Sequence, residues 1–288
     1  FFPDTDFSQD SFEGMRMKSV EMQTLDLAGW HHVLEQEAPS ILVTGWSGKP
    51  LPEAWWRSGQ CPLQYICHVT GSVRNVVSRD LIASGIPVTN WGHLISHTIA
   101  EHAMLLILGS LRNVQAWPDA LRSGERMAIL AERLNSKSLR GLRVGLHGFG
   151  AIARELVQML RPFQVELASY SYGVPAELFD AHEVTMMPSL EALFASSDIL
   201  IECEGLTDRS RGSVTESLLK RLPEGALFVN IGRADITDEA ALVKVAHAGH
   251  IRLALDVYHD EPLPIESPLH SVSGALLSPH IAGPTWDV

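Results

Sequence analysis

The stretch Gly145-Leu-His-Gly148-Phe-Gly150-Ala-Ile-Ala153 constrains this chain more than any other. It follows a short apolar run (Leu142, Val144, Leu146) and opens a helix-like pattern (Ile152, Leu156, Val157, Leu160). A strand, a glycine turn and a helix in that order build a pocket for a dinucleotide pyrophosphate. Gly148 permits the tight turn, Gly150 lets the backbone approach the phosphates, and the small Ala153 lets the helix pack against the strand. The helix N-terminus then offers free N–H groups and a partial positive charge to the anion. Glycine turns of this kind also serve packing alone, so the rest of the chain has to decide between the two uses.

From Gly141 onward, strand and helix patterns alternate. Strands are expected at Arg143–His147, Val165–Tyr170, Glu183–Met187, Asp198–Glu202, Ala226–Ile231, Arg252–Val257 and Ala275–Ser278. The helical stretches beginning at Pro188-Ser189 and Thr237-Asp238 open on capping residues. The alternation predicts an α/β protein with a doubly wound parallel sheet, a Rossmann-type nucleotide-binding domain. Earlier in the chain, Ser40–Thr44, Leu63–Val69 and Ile86–Thr89 read as strands of a smaller α/β unit, with a helix from Ser78 to Ser84. A helix over Ser96–Leu111 is expected to join the two, and Arg133–Arg140 reads as surface loop. The domains expected are residues 1–92 and residues 93–281.

The bulk numbers narrow the partners. A chain of 288 residues with 45% hydrophobic side chains suits one large or two ordinary domains. A net charge of −12 argues against nucleic acid and against an anionic membrane surface. A local cationic site can still take a small anion. The cysteines, Cys61, Cys67 and Cys203, are odd in number and form no C-x-x-C pair, so a reduced cytoplasmic compartment is expected. No apolar run approaches about 18 residues, so no membrane span is expected. The first residues lack the basic flank and apolar core of a signal peptide. His93, His97 and Glu101 fall at helical spacing, but His93 precedes the helix and a further ligand is not evident, so no metal is expected.

In doubly wound sheets, ligands bind beyond the carboxyl ends of the strands. After Ala226–Ile231 comes Gly232-Arg233. After Arg252–Val257 comes Tyr258-His259-Asp260-Glu261-Pro262, and after Ala275–Ser278 comes Pro279-His280. A guanidinium holds a carboxylate by two parallel hydrogen bonds and polarises a neighbouring carbonyl. A histidine gives or takes the proton when a carbonyl becomes an alcohol. A carboxylate beside it favours the imidazolium and fixes the ring. With a bound nicotinamide, the set describes hydride transfer on a 2-oxo or 2-hydroxy acid. His259 also follows a strand and ranks as a rival proton donor.

Gly148-x-Gly150-x-x-Ala153, Val229-Asn-Ile-Gly-Arg233, Leu255-Asp256-Val257…Glu261-Pro262-Leu263 and Ser278-Pro-His280-Ile-Ala-Gly283 together resemble the D-2-hydroxyacid dehydrogenase family. That family includes phosphoglycerate dehydrogenases and glyoxylate/hydroxypyruvate reductases. The resemblance runs over roughly residues 38–285. It implies a Rossmann domain beside a smaller flavodoxin-like substrate domain, with a cleft between them. It implies that Arg233 binds the substrate carboxylate, that His280 is the acid/base and that Glu261 is its partner. Asp256 would orient the nicotinamide, and Thr98 would lie where the family helix meets the cofactor. Gly148, Phe149, Gly150, Ala151 and Ile152 form the cofactor turn, with Ser171, Cys203 and Thr207 beside the adenosine half. Gly71 and Ser72 would hold the substrate carboxylate through backbone N–H groups. The implied cofactor is NAD, with NADP left open, and the implied assembly is a homodimer.

The chain departs from the family pattern in three places. The acid expected about 20 residues past the glycines for the ribose hydroxyls is replaced by Ser171, followed by Tyr172 rather than Arg or Lys. Arg74 stands where many members carry an acid after the substrate loop, and reads either as added charge at the substrate mouth or as a surface residue. Members usually continue past the His280 motif with a helix that packs back on the first domain, so residues after 281 are expected to complete that domain. The missing ribose acid leaves a second reading: a dinucleotide-sensing binding protein on the same fold.

Overall fold

The computed structural model describes residues 16–283 and 285. It divides into two compact units, one ending at Gly92 and the other beginning at His93. The expected reading of the first residues and of the chain beyond 285 lies outside the described residues.

The first unit holds α1 (Leu27–Glu37), β1 (Ile41–Thr44), α2 (Glu53–Trp56), β2 (Tyr65–His68), α3 (Arg79–Ala83) and β3 (Val88–Thr89). The strands form one parallel sheet in the order β1-β2-β3, with Ile41 opposite Tyr65 and Ile66 opposite Val88. Asp26 and Ser78 cap α1 and α3 by accepting from Gly29 and Leu81 backbone N–H groups. Trp30, Leu34, Trp55, Trp56, Ile66 and Leu81 close this unit's core. The strand reading holds, with each strand shorter than expected. The helices α1 and α2 were not anticipated. The helix α2 is a single turn of four residues, and α1 interleaves its apolar residues with His31, His32 and Glu35, so neither shows a helical face in sequence.

The second unit opens with α4 (Ser96–Arg112), α5 (Trp117–Arg122) and α6 (Met127–Leu134). It continues with β4 (Arg143–His147), α7 (Ala151–Leu160), β5 (Glu166–Tyr170), α8 (Ala176–Ala181) and β6 (Thr185–Met186). There follow α9 (Leu190–Ser196), β7 (Ile199–Glu202), α10 (Glu216–Leu219), β8 (Ala226–Asn230), α11 (Glu239–His247), β9 (Ile251–Leu255) and β10 (Leu276–Leu277). All seven expected strands are present in one sheet, ordered β10-β9-β8-β7-β4-β5-β6 and parallel throughout. Every residue of β7 and β8 is buried. That follows from helices covering both faces of a parallel sheet, which is why these strands read as continuous apolar runs rather than alternations.

One expectation changes in the second unit: Arg133 sits in the last turn of α6, not in a loop. Of the expected capping residues Thr237-Asp238, Asp238 caps α11 through the Ala241 N–H. The helix α4 packs Ala100, Ala103, Leu106, Ile107 and Leu111 into the core formed with β4, β7 and β8. It is thus internal to the second unit over most of its length, with Leu105 exposed. Among the described residues, no helix is long and apolar enough to cross a membrane.

Candidate active site

The sheet reverses its order of growth between β4 and β7, and the glycine turn lies there. Gly148 has φ +96°, a conformation that side chains rarely adopt. A Cβ placed on it would lie 2.6 Å from Glu204 Cα and 2.7 Å from its nitrogen. The backbone leaving β7 therefore occupies the space a side chain would need, a packing reason for this glycine that the motif alone does not show. Gly150 differs. Its φ is −78°, and a Cβ there would meet no protein atom within 4 Å. It is the N-cap of α7, where no side chain caps the helix. Neither packing nor backbone strain explains the glycine, whereas a ligand approaching an uncapped helix N-terminus does. The residues present therefore fit a dinucleotide pyrophosphate.

The flanking positions divide by depth. Phe149 is buried and stacks on Phe179 with ring centroids 4.5 Å apart, so only its backbone faces the turn. Ala151 and Ile152 are half-buried in the first turn of α7. Thr98 is buried, its hydroxyl donating to the Ile95 carbonyl. Cys203 directs its thiol back at the His147 carbonyl, 3.3 Å away. Burial, reinforced by the charges of Glu202 and Glu204, pushes that thiol well above its ordinary range. The Thr207 hydroxyl accepts from the Ser210 N–H and shapes its own loop.

At the other end of the sheet, β8, β9 and β10 are neighbours, and their carboxyl ends carry the expected catalytic residues. Arg233 is exposed just beyond β8. Asn230 braces that turn, accepting from Gly232 N–H at 3.0 Å and donating to the Arg233 carbonyl at 3.4 Å. Glu261 and His280 meet: the imidazole Nδ1 is 2.6 Å from Glu261 Oε2. The other carboxylate oxygen, Oε1, accepts from the Tyr258 N–H at 3.0 Å, so the acid is itself fixed. With Nδ1 on the carboxylate, Nε2 is the ring nitrogen on the far side of that contact.

His280 has φ +55°, a strained setting for a non-glycine residue. Asp256, at the end of β9, holds it there. Its Oδ1 accepts from Ser278 Oγ (2.6 Å) and Ile281 N–H (3.0 Å), and its Oδ2 accepts from Ala282 N–H (3.0 Å). His102 of α4 reaches the same group, its Nε2 lying 3.4 Å from Asp256 Oδ1 and 2.9 Å from Ser278 Oγ. Burial alone would raise the Asp256 carboxyl, but the hydrogen bonds from His102, Ser278 and the two amides hold it below the usual range. The rival His259 is otherwise engaged, its Nε2 donating to the Ala234 and Thr237 carbonyls at 3.1 and 3.0 Å.

Other polar features are not legible in the sequence. His147 and Glu202 face each other on adjacent strands, buried, with Nδ1 to Oε2 at 2.5 Å. Burial works against the charged imidazolium, yet the Glu202 carboxylate, helped by Glu204, outweighs it and raises His147. Glu204 accepts from Ser171 Oγ at 2.9 Å. The visible signal was a polar residue ending each of two apolar strands, but the pairing required the strand order. In the first unit, the buried His68 bridges Thr44 Oγ1 (2.8 Å) and the Thr70 hydroxyl immediately before Gly71-Ser72. Burial lowers His68, and a hydrogen bond with the Ser72 backbone offsets this only in part. Asn90 donates to the Gly71 carbonyl from the other side of the turn. Arg74 is exposed.

The fold and its strand-end residues define a class: a doubly wound α/β protein with a dinucleotide-type turn at the switch point of its sheet. Residues 104–282 match the family described as D-isomer specific 2-hydroxyacid dehydrogenase, NAD binding domain, and the chain belongs to that family. It is 34% identical over 206 residues to a glyoxylate reductase of Aeropyrum pernix, covering 70% of this chain and 61% of that protein. It is 28% identical to a glyoxylate/hydroxypyruvate reductase B of an Enterobacter species, covering 68% of this chain and 60% of the relative. The chain thus spans about three fifths of the length of these two relatives. A Pyrococcus horikoshii protein of known structure superposes with a TM-score of 0.79 at 25% identity, over 92% of this chain and 79% of the other. An NADPH-dependent glyoxylate/hydroxypyruvate reductase of Sinorhizobium meliloti gives 0.72 at 25% identity, over 92% and 79%.

Proposed function

We propose that this protein catalyses reversible hydride transfer between a nicotinamide dinucleotide and a small 2-oxo or D-2-hydroxy acid, glyoxylate and hydroxypyruvate being the first candidates. The observation that carries this reading is the Glu261–His280 pair, with the His280 loop fixed by Asp256, beyond the carboxyl ends of the same parallel sheet whose β4 end carries the glycine turn. The uncapped start of α7, with Gly148, Gly150, Ala151 and Ile152, holds the pyrophosphate. Ser171, the Cys203–Thr207 loop and Thr98 would line the rest of the dinucleotide. Bound there, NAD or NADP would supply the chemistry of hydride donation or acceptance at the substrate carbon.

The chain's own residues do the rest. Arg233 pairs with the substrate carboxylate and polarises its carbonyl. His280, held by Glu261, gives its Nε2 proton to the carbonyl oxygen as the alcohol forms, and takes one back in oxidation. Asp256 acts at one remove, because its carboxylate oxygens accept from the loop that carries His280. The binding-protein alternative leaves this buttressed acid–base pair without a task. A homodimer fits the exposed apolar side chains Trp117, Leu121, Met127 and Ile129 on α5 and α6.

The test is absorbance at the reduced nicotinamide band, with NADH and NADPH, against glyoxylate, hydroxypyruvate, pyruvate and bulkier 2-oxo acids. Oxidation of either cofactor with at least one 2-oxo acid is expected. Cofactor binding with no turnover across the panel would favour the binding-protein alternative.

A further inference from the structure

Glu204 lies two residues beyond β7, yet its side chain reaches the first residue after β5, on the far side of β4. Its Oε2 accepts from Ser171 Oγ at 2.9 Å and its Oε1 from the Gly205 N–H at 2.8 Å. Its backbone is pinned as well. The Glu204 N–H donates to Glu202 Oε1 at 2.9 Å, and its Cα packs against Gly148. Ser171 is the position at which a doubly wound dinucleotide fold usually places an acid for the adenosine ribose. Here the strand end supplies only a hydroxyl, and that hydroxyl grips a carboxylate delivered from a different loop. A carboxylate has about four acceptor positions, of which two are used, so capacity for ribose hydroxyls is left.

We infer that Glu204, not a residue on the β5 loop, reads the adenosine ribose and makes the site prefer NAD over NADP. The inference rests on the dinucleotide reading proposed above. A 2′-hydroxyl donates to the fixed carboxylate, whereas a 2′-phosphate would be set against a like charge in a half-buried setting. The opposing group is Arg209. Its guanidinium lies 3.5 Å from the centroid of the Tyr172 ring, next to Ser171. Both Arg209 and Tyr172 are exposed, and attraction from an exposed charge is weakened by solvent and salt. Glu204 is tethered at both carboxylate oxygens, so its repulsion acts at a fixed place. The second nearby acid, Glu202, is paired with His147 and turned into the sheet.

The experiment is direct titration of the protein with NADH and with NADPH, followed by calorimetry or nicotinamide fluorescence, without substrate. Wild type is expected to bind NADH at least about tenfold more tightly, a difference of about 1.4 kcal/mol. Glu204→Gln keeps a hydrogen-bonding amide but removes the charge, and the ratio should fall to about threefold or less, chiefly through tighter NADPH binding. Ser171→Ala, which only loosens the carboxylate, should narrow the ratio part of the way, and it serves if the first variant fails to fold by thermal melting. Equal or tighter NADPH binding by wild type, or an unchanged ratio in the variants, overturns the inference while leaving the dinucleotide site intact. Binding of neither dinucleotide defeats the reading beneath it as well.

Discussion

Replacing Gly148 and Gly150 separately by alanine should divide folding from ligand binding at one turn. At Gly148, two costs add. The backbone at φ +96° is unfavourable for a residue with a Cβ, by about 1–2 kcal/mol. The new methyl would also lie 2.6, 2.7 and 2.9 Å from Glu204 Cα, Glu204 N and Cys203 C. These are backbone atoms of the segment leaving the buried strand β7, so they cannot swing aside as a flexible side chain would. Overpacking of that kind costs about 1–3 kcal/mol, for a sum of roughly 2–5 kcal/mol. For a unit of this size, each kcal/mol moves the melting midpoint by roughly 2–4 °C, so Gly148→Ala should melt roughly 4–20 °C below wild type.

At Gly150 neither cost applies. The φ of −78° suits alanine, and the added Cβ meets no protein atom within 4 Å. The poorer N-cap and the stiffer unfolded chain oppose one another, leaving a change within about 1 kcal/mol. A methyl in that open space should nonetheless obstruct a pyrophosphate and weaken NADH binding about tenfold or more, by at least about 1.4 kcal/mol. The assay is a thermal melt followed by circular dichroism, paired with an NADH titration of each variant. A Gly148→Ala protein that melts with wild type would refute the packing argument. A Gly150→Ala protein that binds NADH unchanged would remove the ligand from the explanation of that glycine.

The remaining predictions concern two histidines at the sheet edge and one beneath the turn. His280→Ala should lower kcat by about 10²–10⁴-fold, while His259→Ala, whose ring serves only backbone carbonyls, should leave kcat within about threefold; equal losses in steady-state assays would dissolve the assignment of the proton. His147 is raised in the folded protein, so its pairing with Glu202 stabilises fully below the unfolded value of about 6.5 and loses that contribution as pH rises through the folded value. Glu202→Gln removes the main compensating charge, so burial, opposed then only by Glu204, should lower His147 and reverse the slope, with stability lost as pH falls below about 6.5. Breaking the buried pair should also cost about 3–5 kcal/mol, and melting curves taken from about pH 5 to 9 would show whether the sign changes.

Much of the architecture was legible because a parallel sheet covered on both faces writes itself as apolar runs. All seven strands of the second unit could be placed, with ends off by one or two residues. The short edge strands β6 and β10 shrank most, since two residues of pairing carry little pattern. The helices α1, α2, α5 and α6 were not anticipated. The contact of Ser278 with His102 beneath the His280 loop was equally hidden, since the two are 176 residues apart and the motif that contains Ser278 says nothing of His102.

The site was legible by residue type and hidden by partnership. His147, Ser171, Glu202, Asn230, Asp256 and Ser278 all end a strand or directly follow one, which sequence can flag as the place where an apolar run turns polar. What each does depends on the strand beside it, and the strand order is not written locally. Glu202 faces His147 only because β7 lies beside β4, and Glu204 meets Ser171 only because β5 lies on β4's other side. The missing acid after β5 therefore left the choice between NAD and NADP open when read along the chain. Read across the sheet, the acid has moved to the neighbouring loop, and the backbone of that loop is what excludes a side chain at Gly148. One segment, Cys203–Glu204, thus sets the shape of the turn and the charge beside it, so a change there should disturb cofactor choice and the stability of the turn together.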